Sequence, residues 1–158
     1  MSSAEMLVTR TAGSREGWRD GNESLKASRA IRTAVFIEEQ GIPSDLEWDG
    51  LDATSEHFIV FSGRGPSRCA LGTARLRIET GRARAQRVAV LPSARGRGVG
   101  RRLMEALEAR ARALGLWEME LHAQTTVVEF YLALDYQAEG THFLEAGIEH
   151  VAMRKRLA

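Results

Sequence analysis

The stretch Arg95-Gly96-Arg97-Gly98-Val99-Gly100 constrains this chain more than any other, because it joins a run that reads as a buried strand to one that reads as an amphipathic helix. Arg87-Val88-Ala89-Val90-Leu91 is the strand, Pro92-Ser93 the punctuation, and Val99 to Leu114 carries apolar residues at three- and four-residue spacing. Glycines at 96, 98 and 100 permit turn dihedrals and keep side chains away from the backbone amides. The first N–H groups of a helix lack intrahelical acceptors. The turn is therefore a candidate cradle for a diphosphate, assisted by the helix dipole and by Arg95, Arg97, Arg101 and Arg102. After the helix, Trp117, Met119, Leu121 and Ala123 alternate with Glu118, Glu120 and His122, the period of a strand. A strand, a helix and a strand predict that the two strands, 87–91 and 117–123, are parallel.

The rest of the chain surrounds this unit with shorter elements. Met6-Leu7-Val8-Thr9 reads as a first strand, and Asn22 or Ser24 caps a helix through Ala27, Ala30, Ile31, Ala34 and Val35 that stops before Gly41 and Pro43. Pro43 to Ser55 reads as a long loop or a loop with a short helix. His57–Phe61, Ala70–Glu79 and Ala85–Leu91 are three strands without intervening helices, which predicts an antiparallel meander. Val99, Leu103, Ala106, Leu107, Ala111 and Leu114 are the expected buried positions of the long helix, ended by Gly115. Thr126 and Glu129 have the spacing of a capping box for a short helix through Phe130, Tyr131 and Leu134. Tyr136–Phe143 and Ile148–Arg156 form a terminal hairpin across Glu145-Ala146-Gly147. The expectation is an α+β fold, a single domain over residues 1–158, with a mixed, mostly antiparallel central sheet and helices on both faces.

Composition narrows the function classes. A formal charge of +1 over 158 residues excludes an extreme polycation, and no apolar run is long enough to span a bilayer. Met1-Ser2-Ser3-Ala4-Glu5 lacks the basic and apolar regions of a secretory signal. Cys69 is the single cysteine, so no intrachain disulfide forms, and a reducing cytoplasm is the expected compartment. Glu38, Glu39, Asp45, Glu47, Asp49, Asp52 and Glu56 fall in a stretch, Thr33 to Gly63, that holds no Lys or Arg. From Arg64 to Gly115 the sign reverses, with arginines throughout and only Glu79, Glu105 and Glu108 against them. Such segregation predicts either one surface for an anion and one for a cation, or solvated faces whose charges mix in three dimensions. Nucleic acid is not the expected anion, because stacking aromatics are missing among those arginines. The four histidines are scattered without ligand spacing, so no metal is expected.

Two familiar nucleotide sites do not fit the glycine turn. A P-loop needs Gly-Lys-Ser/Thr, whereas Gly100 is followed by Arg101-Arg102. A dinucleotide fold places its turn after the first strand, and here it comes late. The pattern Arg-x-x-Gly-x-Gly at Arg95, Gly98 and Gly100, followed by Phe130-Tyr131-Leu132-Ala133-Leu134-Asp135-Tyr136 after the next strand, resembles the GNAT superfamily of acyl-CoA-dependent N-acetyltransferases. The whole chain is similar to its ElaA-type branch. The segments that carry this are Arg32-Thr33-Ala34-Val35-Phe36, Glu39-Gln40-Gly41-Ile42-Pro43, Gly72-Thr73-Ala74-Arg75, His122-Ala123-Gln124 and Ala146-Gly147-Ile148-Glu149-His150. Where the family usually has glycine after the short helix, this chain has Asp135, a residue that tolerates the left-handed region.

The resemblance implies that acetyl-CoA lies in a V-shaped splay between the two parallel strands. Amides from Arg95 through Gly96, Arg97, Gly98, Val99 and Gly100 would hold the pyrophosphate, backbone at Val88, Ala89 and Val90 the pantetheine, and Arg101 or Arg102 the ribose phosphate. It also implies Tyr131 as the proton donor to the departing thiolate, which fits a phenol of pKa about 10 facing a thiol of about 8.5. A backbone N–H near Val90 or Leu91 would meet the oxyanion. The strand before the turn offers no glutamate as general base, so Glu39, Glu47, His57, His122 and His150 stand as candidates, with Glu39 and His122 ranked first. The expected reaction is direct attack by an amine of a small molecule or peptide, cationic if the acidic run faces the acceptor. The alternatives are an acyl-CoA sensor without catalysis and a nucleic-acid-binding module. Monomer and homodimer both fit.

Overall fold

A computed structural model describes residues 5–14 and 22–158; the start of the chain read above for a signal, Met1–Ala4, lies outside them. Strands β1 (Met6–Ala12), β2 (Glu56–Ser62), β3 (Cys69–Glu79), β4 (Arg82–Val90), β5 (Glu118–Gln124), β6 (Gln137–Glu145) and β7 (Ile148–Arg156) form one sheet in the order β1-β2-β3-β4-β5-β7-β6. Every neighbouring pair is antiparallel except β4 and β5, which the helix α3 (Val99–Ala113) connects. This is the expected mixed α+β sheet. The one feature the terminal hairpin alone does not announce is that β7 folds back between β5 and β6, pairing Gln124 with His150 and His150 with Phe143.

Helices cover both faces. On one, Leu103, Met104, Leu107 and Ala111 of α3 are fully enclosed against Leu76, Ala83, Met119, Leu121 and Met153. Leu114, expected among the buried positions of this helix, is the residue just after its end and is exposed. On the other face α1 (Glu23–Arg32) starts at Asn22, whose side chain accepts the Leu25 N–H at 3.0 Å, satisfying an orphan donor of the first turn. Thr73 Oγ1 donates to the Phe58 carbonyl at 3.0 Å, so the 2.7 Å contact with Ser28 must have the serine as donor, and this buried pair docks α1 on β3. The helix then continues as a π-helical turn, Thr33–Glu39, which packs Ile31, Val35 and Phe36 on Ala89 and brings Glu39 and Gln40 to the sheet's open edge.

The acidic loop holds α2 (Ser44–Glu47), and α4 (Val128–Leu132) follows β5 through a 3-10 turn, Thr125–Val127. The capping box expected from Thr126 and Glu129 does not form: α4 begins at Val128 with no side-chain cap, since the 3-10 turn already leads the chain into the helix. Asp135 takes φ 71° after α4, as expected of a residue filling a glycine position.

Two close approaches hold the sheet to α3 and shape its middle. A Cβ on Gly72 would stand 2.7 Å from Val99 Cγ1 and 3.0 Å from the Ala89 carbonyl oxygen, so only hydrogen fits between β3 and the helix start. Gly72→Ala is expected to cost about 1–3 kcal/mol by overpacking, read as a lowered urea midpoint at unchanged slope. The second is a bulge. Thr73 pairs with Ala89 and Arg75 with Gln86, so one residue of β3 opposes two of β4, and Arg87 there adopts φ 56°. A bulge bends its strand and ends regular pairing.

Candidate active site

The bulge makes the cleft. β4 and β5 are paired only at Ala83–Met119, Arg84–Glu120 and Ala85–Leu121, and beyond Ala85 the two strands part. The expected V-shaped splay is therefore present, and its position follows from the bulge at Arg87. A cavity of about 1070 Å³ fills it, lined by both strands, the glycine turn, the π-helical turn and α4.

At one end lies the turn before α3. Gly96 and Gly98 have φ 76° and 81°, and Gly98 is the left-handed residue from which the helix springs, so these two glycines serve the backbone path. Gly100 has another role: a Cβ there would touch the Phe130 ring at 3.0 Å, so its bareness seats α4 against the helix start. Val88, Ala89, Val90, Arg95, Gly96, Gly98, Val99, Gly100 and Arg101 line the cleft, whereas Arg97 and Arg102 are exposed outside it. The turn's open amides, a helix dipole and a neighbouring arginine fit the diphosphate of a nucleotide-bearing donor.

The Arg95 side chain does not point to that cradle. Its guanidinium donates to the Val90 carbonyl at 3.1 Å and forms a two-pronged pair with Glu39 at 2.6 and 2.7 Å. Two candidate site residues are thus brought onto each other, and the hydrogen bonds and charge of Arg95 hold the Glu39 carboxyl below its usual range. The Leu91 N–H is committed as well, donating to Leu71 O at 2.9 Å, which removes it as an oxyanion donor.

Tyr131 is buried where α4 meets the cleft, its ring edge-on to Phe130 at 4.9 Å and Tyr136 at 5.7 Å. Burial raises its pKa well above that of a free phenol, and its hydroxyl has no hydrogen-bond partner among the described residues. It therefore carries its proton at any physiological pH. Tyr136 differs, donating to the buried Glu108 at 2.9 Å, which also accepts from Lys155.

Cross-strand partners share a face of a sheet, and so do residues two apart along a strand. By the register Gln124–His150–Phe143, the side chains of His122, Gln124, His150, Phe143 and Glu145 all lie on the α1 face. Tyr131 packs with Leu121 and Ala123 on the α3 face. The splay is the passage between. On the α1 side His122 Nδ1 donates to Glu145 Oε1 at 3.1 Å, and His150 Nε2 stands 3.7 Å from Glu145 Oε2. The His122 hydrogen bond, opposed by burial and aided by the charge of Arg87, keeps the Glu145 carboxyl below its usual range. Gln124 Nε2 donates to Gln40 Oε1 at 2.8 Å, tying the end of β5 to the π-helical turn.

The remaining base candidates are elsewhere or committed. His57 is buried away from the cleft with Nε2 2.9 Å from Asp52 O. Glu47 is held by Arg32 at 2.7 Å and Arg87 at 3.0 Å. Glu47, Asp49 and Asp52 do not present the free cation-binding field that the loop's composition suggests. Asp52 bridges Arg32 (2.7 Å) and Arg75 (3.0 Å), and Asp49 pairs with Arg75 and Arg87. Three acids meet three arginines, each within hydrogen-bond reach, so their fields cancel locally. Arg87 also donates to the carbonyls of Leu46 and Glu47, so the loop clamps the bulge. Glu145 and this clamp escaped the sequence reading because a hairpin turn and a charge run look the same whatever faces them. The signal for Glu145 was the two-residue turn Ala146-Gly147, both at positive φ, which puts 145 and 150 on one face.

A sheet split at a bulged strand, with an open glycine turn at one end and a buried tyrosine beside it, is the arrangement expected of an acyl-CoA-dependent N-acyltransferase. Comparisons agree. Residues 51–157 match the family model of the acetyltransferase (GNAT) domain. The chain is 39% identical over 134 residues to the uncharacterized N-acetyltransferase YjcF of Bacillus subtilis, covering 84% of this chain and 93% of that one. An acyl-CoA N-acyltransferase from Pseudomonas aeruginosa superposes with a TM-score of 0.78 at 29% identity, over 96% and 99% of the two chains. Escherichia coli ElaA shares the fold, with a TM-score of 0.77 at 23% identity over 96% and 99%. The chain belongs to the GNAT acetyltransferase family, and its co-substrate is an acyl-CoA. No helix among the described residues is long and apolar enough to cross a membrane, and no group of three or more His, Cys, Asp or Glu among them could hold a metal ion.

Proposed function

We propose that this enzyme transfers the acetyl group of acetyl-CoA to a primary amine of a small molecule or peptide by direct attack, with Tyr131 as general acid. The observation that carries the reading is the pairing across the splay of a buried, unpartnered phenol on one face and an imidazole–carboxylate group on the other. The amides from Gly96 to Gly100 bind the diphosphate, the Arg95 N–H being turned to the Pro92 carbonyl; Arg101 at the cleft wall serves the ribose phosphate, and the β4 edge at Val88 to Val90, unpaired on its β5 side, receives the pantetheine. The amine approaches from the α1 face and loses a proton there. Its nitrogen bonds to the acyl carbon as the C–S bond breaks, and the Tyr131 hydroxyl protonates the sulfur. Cys69 is exposed at the start of β3, outside the cleft, and no acyl-enzyme is formed.

The test is turnover of acetyl-CoA over panels of amines, amino sugars and peptides, followed by release of free thiol. Rapid thiol release with one amine class and a mass gain of one acetyl group on it is the expected result. Tight CoA binding without release of thiol against any panel would overturn the reading in favour of an acyl-CoA sensor.

A further inference from the structure

Glu145 stands on the α1 face of the cleft with one oxygen engaged and one not. Its Oε1 accepts from His122 Nδ1 at 3.1 Å. Its Oε2 faces His150 Nε2 at 3.7 Å, beyond hydrogen-bond distance. The His150 Nδ1 is 2.7 Å from the Ile148 carbonyl oxygen, a contact that requires the proton on Nδ1 and leaves a lone pair on Nε2 of the neutral ring. Two acceptors, a carboxylate oxygen and an imidazole nitrogen, thus converge on one point of the cleft. His150 is buried and its ring is stacked on Phe143 at 6.1 Å, so its orientation is set by packing. An alkylammonium carries three N–H donors and fits between such acceptors with ordinary hydrogen-bond lengths of about 2.9 Å.

We infer that Glu145 and His150 form the acceptor site, in which Glu145 anchors a primary ammonium and His150 Nε2 takes its proton, with His122 as the residue that positions Glu145. This deepens the acetyl-transfer reading and rests on it for the chemical step. The proton balance closes. R–NH3+ gives one proton to His150 and becomes R–NH2. Its lone pair forms the C–N bond while the C–S electron pair leaves with sulfur. The nitrogen sheds a second proton to solvent, the thiolate takes one from Tyr131, and the phenolate recovers it from solvent. One proton is released per turnover, and the imidazolium left on His150 faces the Glu145 carboxylate until it passes its proton to solvent. The site takes a single ammonium, because the other acids near the cleft, Glu39, Glu47, Asp49 and Glu120, are already paired with arginines.

The charged and titratable groups around His150 are Glu145 from β6, His122 from β5 and, acting through Glu145, Arg87 from β4. Two measurements on the full chain test the site. In the first, the amine found in the turnover screen is assayed with Glu145→Gln, His150→Gln and His122→Asn. Glu145→Gln is expected to lower kcat/KM for the amine about 10- to 100-fold, mainly through KM. His150→Gln lowers kcat about 100-fold and removes the acidic limb of the kcat/KM profile, while KM for acetyl-CoA stays unchanged in both. His122→Asn keeps the acidic limb. Retention of wild-type amine kinetics by His150→Gln or Glu145→Gln, with thermal denaturation unchanged, would overturn the proposal.

The second measurement does not need turnover. The His150 ring resonance of the CoA-bound protein is followed by NMR against butylammonium and against butyltrimethylammonium. Butylammonium is expected to move it and the quaternary ion, which has no N–H, is not; Glu145→Gln abolishes the response. A resonance indifferent to butylammonium sinks the site. A response in a protein that releases no thiol keeps the site and removes the acetyl-transfer reading instead.

Discussion

Tyr131→Phe is expected to lower kcat by about 100-fold or more at every pH while leaving stability unchanged or slightly raised. The two halves of that result have separate causes. Loss of the proton donor leaves the thiolate to depart unprotonated. The fold loses little, because the Tyr131 hydroxyl makes no hydrogen bond to the described residues and opens to the cleft, while its buried ring keeps the packing that phenylalanine also supplies. Tyr136 is the internal control. Its hydroxyl donates to Glu108, so Tyr136→Phe is expected to cost about 1–2 kcal/mol and to leave kcat near wild type. Steady-state kinetics and urea denaturation on the same two preparations read both. A Tyr131→Phe enzyme with full turnover, or one that loses stability like Tyr136→Phe, removes the general-acid role.

Asp52→Ala is expected to be the most damaging single change to the fold, at about 3–5 kcal/mol, because it leaves two nearly inaccessible guanidiniums without their shared carboxylate. Stability of a typical domain is about 5–15 kcal/mol, so this is a large fraction of it. Burial pushes the Asp52 carboxyl up, but hydrogen bonds and charge from Arg32 and Arg75 overcome it and leave it below the usual range; Asp49 is lowered in the same way by Arg75 and Arg87. A depressed folded pKa contributes stability that is present above the unfolded value of about 3.9 and is lost as pH falls through the folded value. The wild-type urea midpoint is therefore expected to be level near neutrality and to drop below about pH 4. In Asp52→Ala that drop is shallower, since one fewer carboxylate takes up a proton on unfolding. An equal acid sensitivity in wild type and variant would show that the cluster contributes nothing at acid pH. The same change is expected to weaken the cleft, since Arg87, which forms the bulge, is held by Glu47 and Asp49 from the loop that Asp52 anchors.

Much of this architecture was legible in the chain. The glycine turn, the long helix and the strand after it were read from spacing alone, since backbone dihedrals and helical periodicity are local properties. The left-handed turn at Asp135 follows instead from the resemblance, since the family usually has glycine there. The capping box at Thr126 was misread because spacing cannot say that a 3-10 turn will enter the helix first. Arg95 was matched to the phosphate turn by pattern, yet its guanidinium meets Glu39, which lies 56 residues earlier and arrives only when the π-helical turn packs against Ala89.

By itself the sequence determined a strand, a glycine turn and a helix with free amides at its start. Those are short-range facts of periodicity and backbone freedom, whereas an acyl-CoA as the anion follows from the resemblance of this turn and the Tyr131 segment to the GNAT superfamily. Tertiary structure decided what faces the donor. It neutralised the acidic loop with Arg32, Arg75 and Arg87, placed the bulge that opens the sheet, and folded β7 between β5 and β6 so that His122, Glu145 and His150 meet. Charge pairing and cross-strand neighbours depend on which strands adjoin, and no local pattern encodes that.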